Sequence, residues 1–304
     1  VSGFDIDHQT LDDLVEVARI MRDANDIEPW AAVYHDLYVN SGFYSAEDMH
    51  WVIALHNSYD AMSSAWKVFA RWPSPWAWRD DPRRDEAYNQ AVYPIMTERR
   101  NLFGGKVLRR HSSYLEQLGD KTQDEWLSES LLGITPEIDF QLLMARTREV
   151  WGVGRQSAFE WAEFLAKVLD YPVHAPHAEL WESSGPRKSL ERLYGNPNPD
   201  VNWLNDAANH ARGYLADAGV HLEWEDFETV ICDFNVMRDG RYYPGQHLAF
   251  LKEEIIQVDD SAQQAILWEA WGRLVPEKWQ DIPPGINHAY RSEYASSRFI
   301  RSHA

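Results

Sequence analysis

Apolar residues recur along most of this chain at intervals of three and four, the spacing of one helix face. Leu11, Leu14, Val15, Ala18 and Met21 trace one amphipathic segment, and Trp51, Val52, Leu55, Tyr59, Met62 and Trp66 trace another. The same period predicts helices near 84–103, 106–118, 123–132, 138–150, 156–169, 201–218, 246–256 and 261–274. Strand signals are few, with residues 228–234 and the Arg241-Tyr242-Tyr243 piece as the best candidates. The expected class is all-α with at most a small β element. Proline and glycine punctuate residues 72–82, 171–176, 195–199 and 283–285; none of these is a long linker, and there is no repeat of solenoid period. One compact domain over 1–280 is expected, with two helical lobes covering about 1–133 and 134–280 and a surface tail at 281–304.

One junction between helices carries candidate chemistry. Ile138, Leu142, Leu143 and Val150 lie at helical spacing before the stretch Trp151-Gly152-Val153-Gly154-Arg155-Gln156-Ser157-Ala158, and Phe159, Phe164, Leu165, Val168 and Leu169 lie so after it. Two helices therefore meet at a tight turn. Glycine has no Cβ to clash at positive φ, so Gly152 and Gly154 let the turn and the next helix start aim backbone amides at an anion such as phosphate. Gly152, Gly154, Arg155, Gln156 and Ser157 are thus candidate DNA-backbone contacts in a helix-hairpin-helix. An ordinary corner between two helices is the alternative on spacing alone.

Composition narrows the setting. At 304 residues and 44% hydrophobic content the chain is globular, and no apolar run approaches the length needed to span a bilayer. The opening Val1-Ser2-Gly3-Phe4-Asp5 turns acidic and lacks a basic, apolar leader pattern, so no signal peptide is expected. The single cysteine, Cys232, excludes an internal disulfide or a thiolate metal cage, and a reducing cytoplasm is expected. A net charge of −19 opposes DNA binding if averaged over the surface, but the cations cluster. Arg99, Arg100, Lys106, Arg109, Arg110 and His111 form a basic run, and Arg146, Arg148 and Arg155 bracket the turn. Most of the 15 tryptophans must be core, although Trp66, Trp72, Trp76 and Trp78, beside Pro73 and Pro75, are also candidates to wall a pocket for a flipped base.

Gly152 to Ala158, followed by Tyr171-Pro172-Val173-His174-Ala175-Pro176-His177, resembles the hairpin and following loop of the helix-hairpin-helix DNA glycosylase superfamily. That resemblance implies two helical lobes around a cleft that receives the substrate base. Gln156 falls where bifunctional members carry a nucleophilic lysine, and His177 falls close to their catalytic aspartate. An amide is no nucleophile and an imidazole is not an anion, so the scaffold is expected without base excision. A loosely held monovalent cation at the hairpin is the one ion the resemblance suggests. His174 and His177 allow a metal pair, but Pro176 interrupts any helix there and no third ligand is evident, so no site metal is expected.

Further segments carry a more specific resemblance. The stretch WVIALHNSYDAMSSAWKVFARWP from Trp51, Thr97-Glu98-Arg99-Arg100, the hairpin, Gly185-Pro186-Arg187, Cys232-Asp233-Phe234-Asn235 and Gly240-Arg241-Tyr242-Tyr243-Pro244-Gly245 are together similar to the amino acid:DNA transferases. These are also called glutamyl/putrescinyl thymine pyrophosphorylases. The resemblance implies a bacteriophage enzyme in the cytoplasm of an infected bacterium. Its substrates would be double-stranded DNA containing 5-(pyrophosphoryloxymethyl)uracil and an amino acid or polyamine, whose amine displaces pyrophosphate to leave a hypermodified thymine.

Such a displacement needs leaving-group charge stabilised, a neutral amine, and a base held out of the stack. Arg99, Arg100 and Arg187 are the candidates for the phosphates, since a guanidinium fork matches phosphate oxygens. Asp233, after the apolar Val230-Ile231-Cys232, is the first candidate to anchor and deprotonate the amine, and His177 the second. Tyr59, Trp66, Arg241 and Tyr243 are candidates for the base or substrate pocket. The rival readings are a true glycosylase, which needs Asp170 or Glu179 as a replacement carboxylate, and a non-catalytic DNA-binding subunit. The amine donor and the oligomeric state stay open.

Overall fold

A computed structural model describes residues 8–84 and 105–285. The helix expected at 84–103, with Arg99 and Arg100, and most of the tail lie outside the described residues. In chain order the helices are α1 (His8–Ala24), α2 (Pro29–Asn40), α3 (Ala46–Tyr59), α4 (Met62–Arg71), α5 (Pro75–Asp80), α6 (Gly105–Leu118), α7 (Gln123–Ser128), α8 (Pro136–Thr147) and α9 (Arg155–Leu169). After a 3-10 turn at Leu180–Glu182 come α10 (Gly185–Leu193), α11 (Val201–Asp217), α12 (Trp224–Arg238), α13 (Gln246–Ile256), α14 (Ser261–Leu274) and α15 (Glu277–Gln280). Among the described residues there is no strand. No helix there is long and apolar enough to cross a membrane.

Both strand expectations are corrected. Residues 228–234 belong to α12, whose Phe227, Val230, Ile231 and Phe234 are buried at positions i, i+3, i+4 and i+7, a helical face rather than a β alternation. Glu225 and Asp226 in its first turn complement the amide-rich helix start. Arg241-Tyr242-Tyr243 lies in the connection to α13. The long early segment is also two helices: Asp60 takes a left-handed conformation at φ 56°, ends α3 by donating its N–H to His56, and is followed by extended Ala61. Aspartate tolerates that conformation, so the apolar period runs on while the helix does not. Elsewhere caps set the boundaries. Ser45 with Asp48 and Thr122 with Glu125 form capping boxes, and Thr135 caps α8 ahead of Pro136.

The chain divides into two compact units, each built from two stretches of sequence. One comprises Trp30–Val173 and the chain from Ala249 onward. Within it α3 packs on α4 and α9, and α8 packs on α9. Its core holds Trp51, Trp66, Trp72, Trp78, Trp126 and Trp161, all essentially inaccessible. The basic run splits here: Arg110 and His111 are buried, Arg110 donating to Asn57 Oδ1, while Lys106 and Arg109 stay exposed. The other unit comprises the chain up to Pro29 and His174–Leu248. There α1 packs on α11 and α12, and α10 packs closely on α12 around Leu14, Leu190, Leu204, Phe227 and Ile231.

Candidate functional site

In the unit carrying α10 and α12, three of the singled-out segments converge. A Cβ on Gly185 would lie 2.5 Å from Cys232 Sγ, so any larger residue there would force the Cys232 side chain to turn away, and glycine lets the start of α10 rest directly on α12. Gly185-Pro186-Arg187 is thereby seated against the residue preceding Asp233. Pro186 suits the first helical turn, where its missing N–H has no intrahelical role. Arg187 Nε donates to Glu191 Oε1 at 2.8 Å, and its guanidinium lies over the half-exposed ring of Trp181, 5.2 Å from the centroid. In the same segment pair, Arg192 donates to Asn235 Oδ1 and to Asp239 Oδ1, each at 2.9 Å.

The third segment is organised by Asp26, a fully buried residue that local sequence did not single out. Its carboxylate accepts the Tyr242 hydroxyl at 2.9 Å, the Gly245 N–H, and the Leu248 N–H at 2.9 Å. Its backbone oxygen lies 2.9 Å from His247 Nδ1. Asp26 thus ties down the connection from α12 to α13 and orients the imidazole at its end. His247 Nε2 then stands 3.5 Å from Asp233 Oδ2. That oxygen is buried and has no hydrogen-bond donor among the described residues. The side chains of His247 and Asp233 remain 16% and 13% exposed, so the pair is sheltered but reachable.

Electrostatics follow from this arrangement. Burial pushes the Asp233 carboxyl up to about 7, with Asp26 and Glu228 adding to the rise and His247 opposing it. Burial works against the charge of His247, but Asp233 and Asp26 outweigh it and hold that imidazole above its usual range. Burial also raises Asp26, against the pull of His247 and its own hydrogen bonds. A carboxylate poised near neutrality beside an imidazole held above its usual range, with one acceptor oxygen lacking a donor, can bind an ammonium group and take a proton from it.

The remaining expected site residues are scattered. His177 is half-buried in the connection before the 3-10 turn, its Nδ1 3.3 Å from the Glu179 N–H and 3.6 Å from Glu179 Oε1. Arg241 is exposed and paired with Asp239 at 2.9 Å, and Tyr243 is half exposed. In the other unit, Tyr59 and Trp66 are wholly inside the core, Tyr59 against His111 and Trp66 against Tyr44, Phe69 and Tyr34. Asp170 caps the end of α9 in a left-handed conformation.

The turn between α8 and α9 has Gly152 at φ 82° and Gly154 at φ −90°. Only the first uses glycine's freedom at positive φ, which corrects the expectation for Gly154. Gly154 is the N-cap of α9, and a Cβ there would meet nothing within 4 Å. The turn is braced from α6: Ser113 Oγ accepts the Trp151 N–H at 2.9 Å, and Arg109 stacks over Trp151 at 4.2 Å. Gln156 is exposed, whereas Ser157 is buried and its carbonyl accepts Asn57 Nδ2 at 2.8 Å. Gly154→Val is therefore expected to keep the fold and to weaken duplex binding alike for all sequences, since phosphate contacts carry no base information. Fluorescence anisotropy with two unrelated duplexes checks this, and unchanged affinity in the folded variant would remove the turn from the DNA interface.

A comparison with curated proteins finds no match. A family model described as amino acid:DNA transferase matches residues 11–241, which run from within α1 to just past the end of α12 and take in both the hairpin and Asp233. The chain belongs to the amino acid:DNA transferase family and is a DNA-modifying transferase that joins an amine donor to DNA.

Proposed function

We propose that Asp233, oriented with His247, receives the amine donor in a reaction that displaces pyrophosphate from 5-(pyrophosphoryloxymethyl)uracil in DNA. The observation that carries this reading is the buried Asp233 Oδ2, which lacks a hydrogen-bond donor and lies 3.5 Å from His247 Nε2. A buried acceptor without a hydrogen-bond donor is costly, and an incoming ammonium supplies the missing donor. Asp233 or His247 takes the ammonium proton. The neutral nitrogen then attacks the CH2 carbon, a C–N bond forms, and the C–O bond breaks as pyrophosphate leaves with the electron pair. The product is a hypermodified thymine in intact DNA, and the donor is an amino acid or a polyamine.

Leaving-group charge is assigned to Arg187, with Arg99 and Arg100 as further phosphate ligands. Arg187 presents its remaining N–H groups beside Trp181 while Glu191 holds Nε. The exposed amides at the start of α9 grip the DNA backbone as the hairpin of a glycosylase-like fold, where a monovalent cation would also sit. His177, Arg241 and Tyr243 are ascribed to the substrate side. Tyr59 and Trp66 belong to the core of the unit that holds the hairpin. The work is done in the cytoplasm of a phage-infected bacterium.

Arg187→Ala tests the leaving-group assignment. Transfer of a labelled amine to pyrophosphorylated DNA is expected to fall by about 100-fold or more, and raising the pH should not restore it, because the missing charge belongs to the phosphate and not to the amine. Wild-type transfer in the folded variant would reject this role.

A further inference from the structure

His56 and Asp60 stand one helical turn apart at the end of α3, and Glu160 comes from the first turns of α9. One ligand atom from each of the three lies within 4.8 Å of the others. His56 is buried, and the two carboxylates are half-buried. The imidazole is held in a fixed pose: its Nδ1 is 2.9 Å from the Tyr34 hydroxyl, and its ring stacks on Phe164 with centroids 5.0 Å apart. An outer partner on one ring nitrogen that orients the other is the usual support of a metal-ligating histidine. The neighbouring Asn57 ties the same turn of α3 to Ser157 at the start of α9, so the elements that carry the donors are fixed to each other.

We propose that His56, Asp60 and Glu160 form a binding site for a divalent transition-metal cation such as Mn2+ or Zn2+. His56 ligates through Nε2, with Nδ1–H donating to Tyr34. Donors around one such ion at about 2.1 Å stand roughly 3–4 Å apart, within reach of small side-chain rotations. Two carboxylates balance the charge of the ion in a partly dry setting, and a single imidazole among oxygen donors suits these metals. Three protein ligands leave coordination positions for water or another oxygen ligand. The site lies in the unit that holds the hairpin and is independent of the assignment of Asp233.

Full-length protein stripped with EDTA and titrated with Mn2+ and Zn2+ by calorimetry tests this. One equivalent is expected to bind with a rise in Tm, and Asp60→Asn and Glu160→Gln are each expected to weaken affinity by about 10-fold or more. On the unaltered protein, the Mn2+ spin-echo spectrum is expected to show nitrogen coupling from one imidazole, lost in His56→Gln. Absence of saturable binding, or undiminished affinity in both carboxylate variants, or no imidazole coupling, would overturn the proposal.

Discussion

Asp233→Asn is expected to lower transfer by about 10²–10⁴-fold, the scale for removing a general base, while the protein stays folded. Asparagine keeps the shape and one acceptor but removes the charge that holds and deprotonates the amine. Burial sets the Asp233 carboxyl at about 7, so wild-type activity is expected to climb through that pH as the base ionises. The variant should lack this step and recover only in part at high pH, where free amine becomes abundant. Stability should move the other way. Because the folded pKa stands above the ordinary 3.8, Asp233 favours folding most below about pH 4, and that contribution is lost as the pH rises towards 7. Above 7 the buried charge opposes folding, offset in part by His247, so the variant's Tm should match or exceed wild type at pH 8. A pH–rate profile alongside melting curves checks both signs. An unchanged profile with its step near pH 7 would show that another group is the base.

Asp26→Ala is expected to be the most destabilising single change in this unit. It would leave the Tyr242 hydroxyl and the Gly245 and Leu248 amides buried without their acceptor. At about 1–3 kcal/mol for each orphaned donor, the loss is about 3 kcal/mol or more, which corresponds to a fall in Tm of roughly 5–10 °C. Transfer should fall as well, since His247 loses the connection that aims it at Asp233. Asp26→Asn should fall between the two, because its amide oxygen accepts some of these bonds but its NH2 faces a donor. Thermal denaturation of the three proteins at pH 7 measures this, and a wild-type Tm for Asp26→Ala would remove Asp26 as the organiser of the loop.

Helical periodicity was a good guide where caps and apolar faces agreed, as in α13 and α14, whose bounds coincide with the periodic segments at 246–256 and 261–274. It failed where one residue overrode the pattern. Asp60 breaks the early helix by its own left-handed backbone, and the β-branched Thr229, Val230 and Ile231 mimic a strand although they sit within α12. α5 escaped because it is a single short stretch and α10 because few apolar positions mark it, whereas the apolar residues of α2, among them Trp30, Ala31, Val33, Tyr34 and Leu37, run round the helix instead of tracing one face. Asp233 and Arg187 were singled out by residue type and motif, and Gly185 as part of Gly185-Pro186-Arg187. Asp26 and His247 were not, because their roles depend on contacts more than two hundred positions apart in sequence. The same holds for His56, Asp60 and Glu160: the first two share a visible helical spacing, but nothing local pairs them with a glutamate of α9. The interleaving of two stretches in each unit is likewise a long-range property that no window of residues reveals.

The most direct test is nucleoside mass spectrometry of 5-(pyrophosphoryloxymethyl)uracil DNA after incubation with the enzyme and a panel of amino acids and polyamines, with Asp233→Asn in parallel. The expected result is an amine-dependent hypermodified thymidine in unbroken DNA, one pyrophosphate released per base converted, and strongly reduced product with the variant. Abasic sites and free base in place of that nucleoside, or equal product from both proteins, would contradict the account.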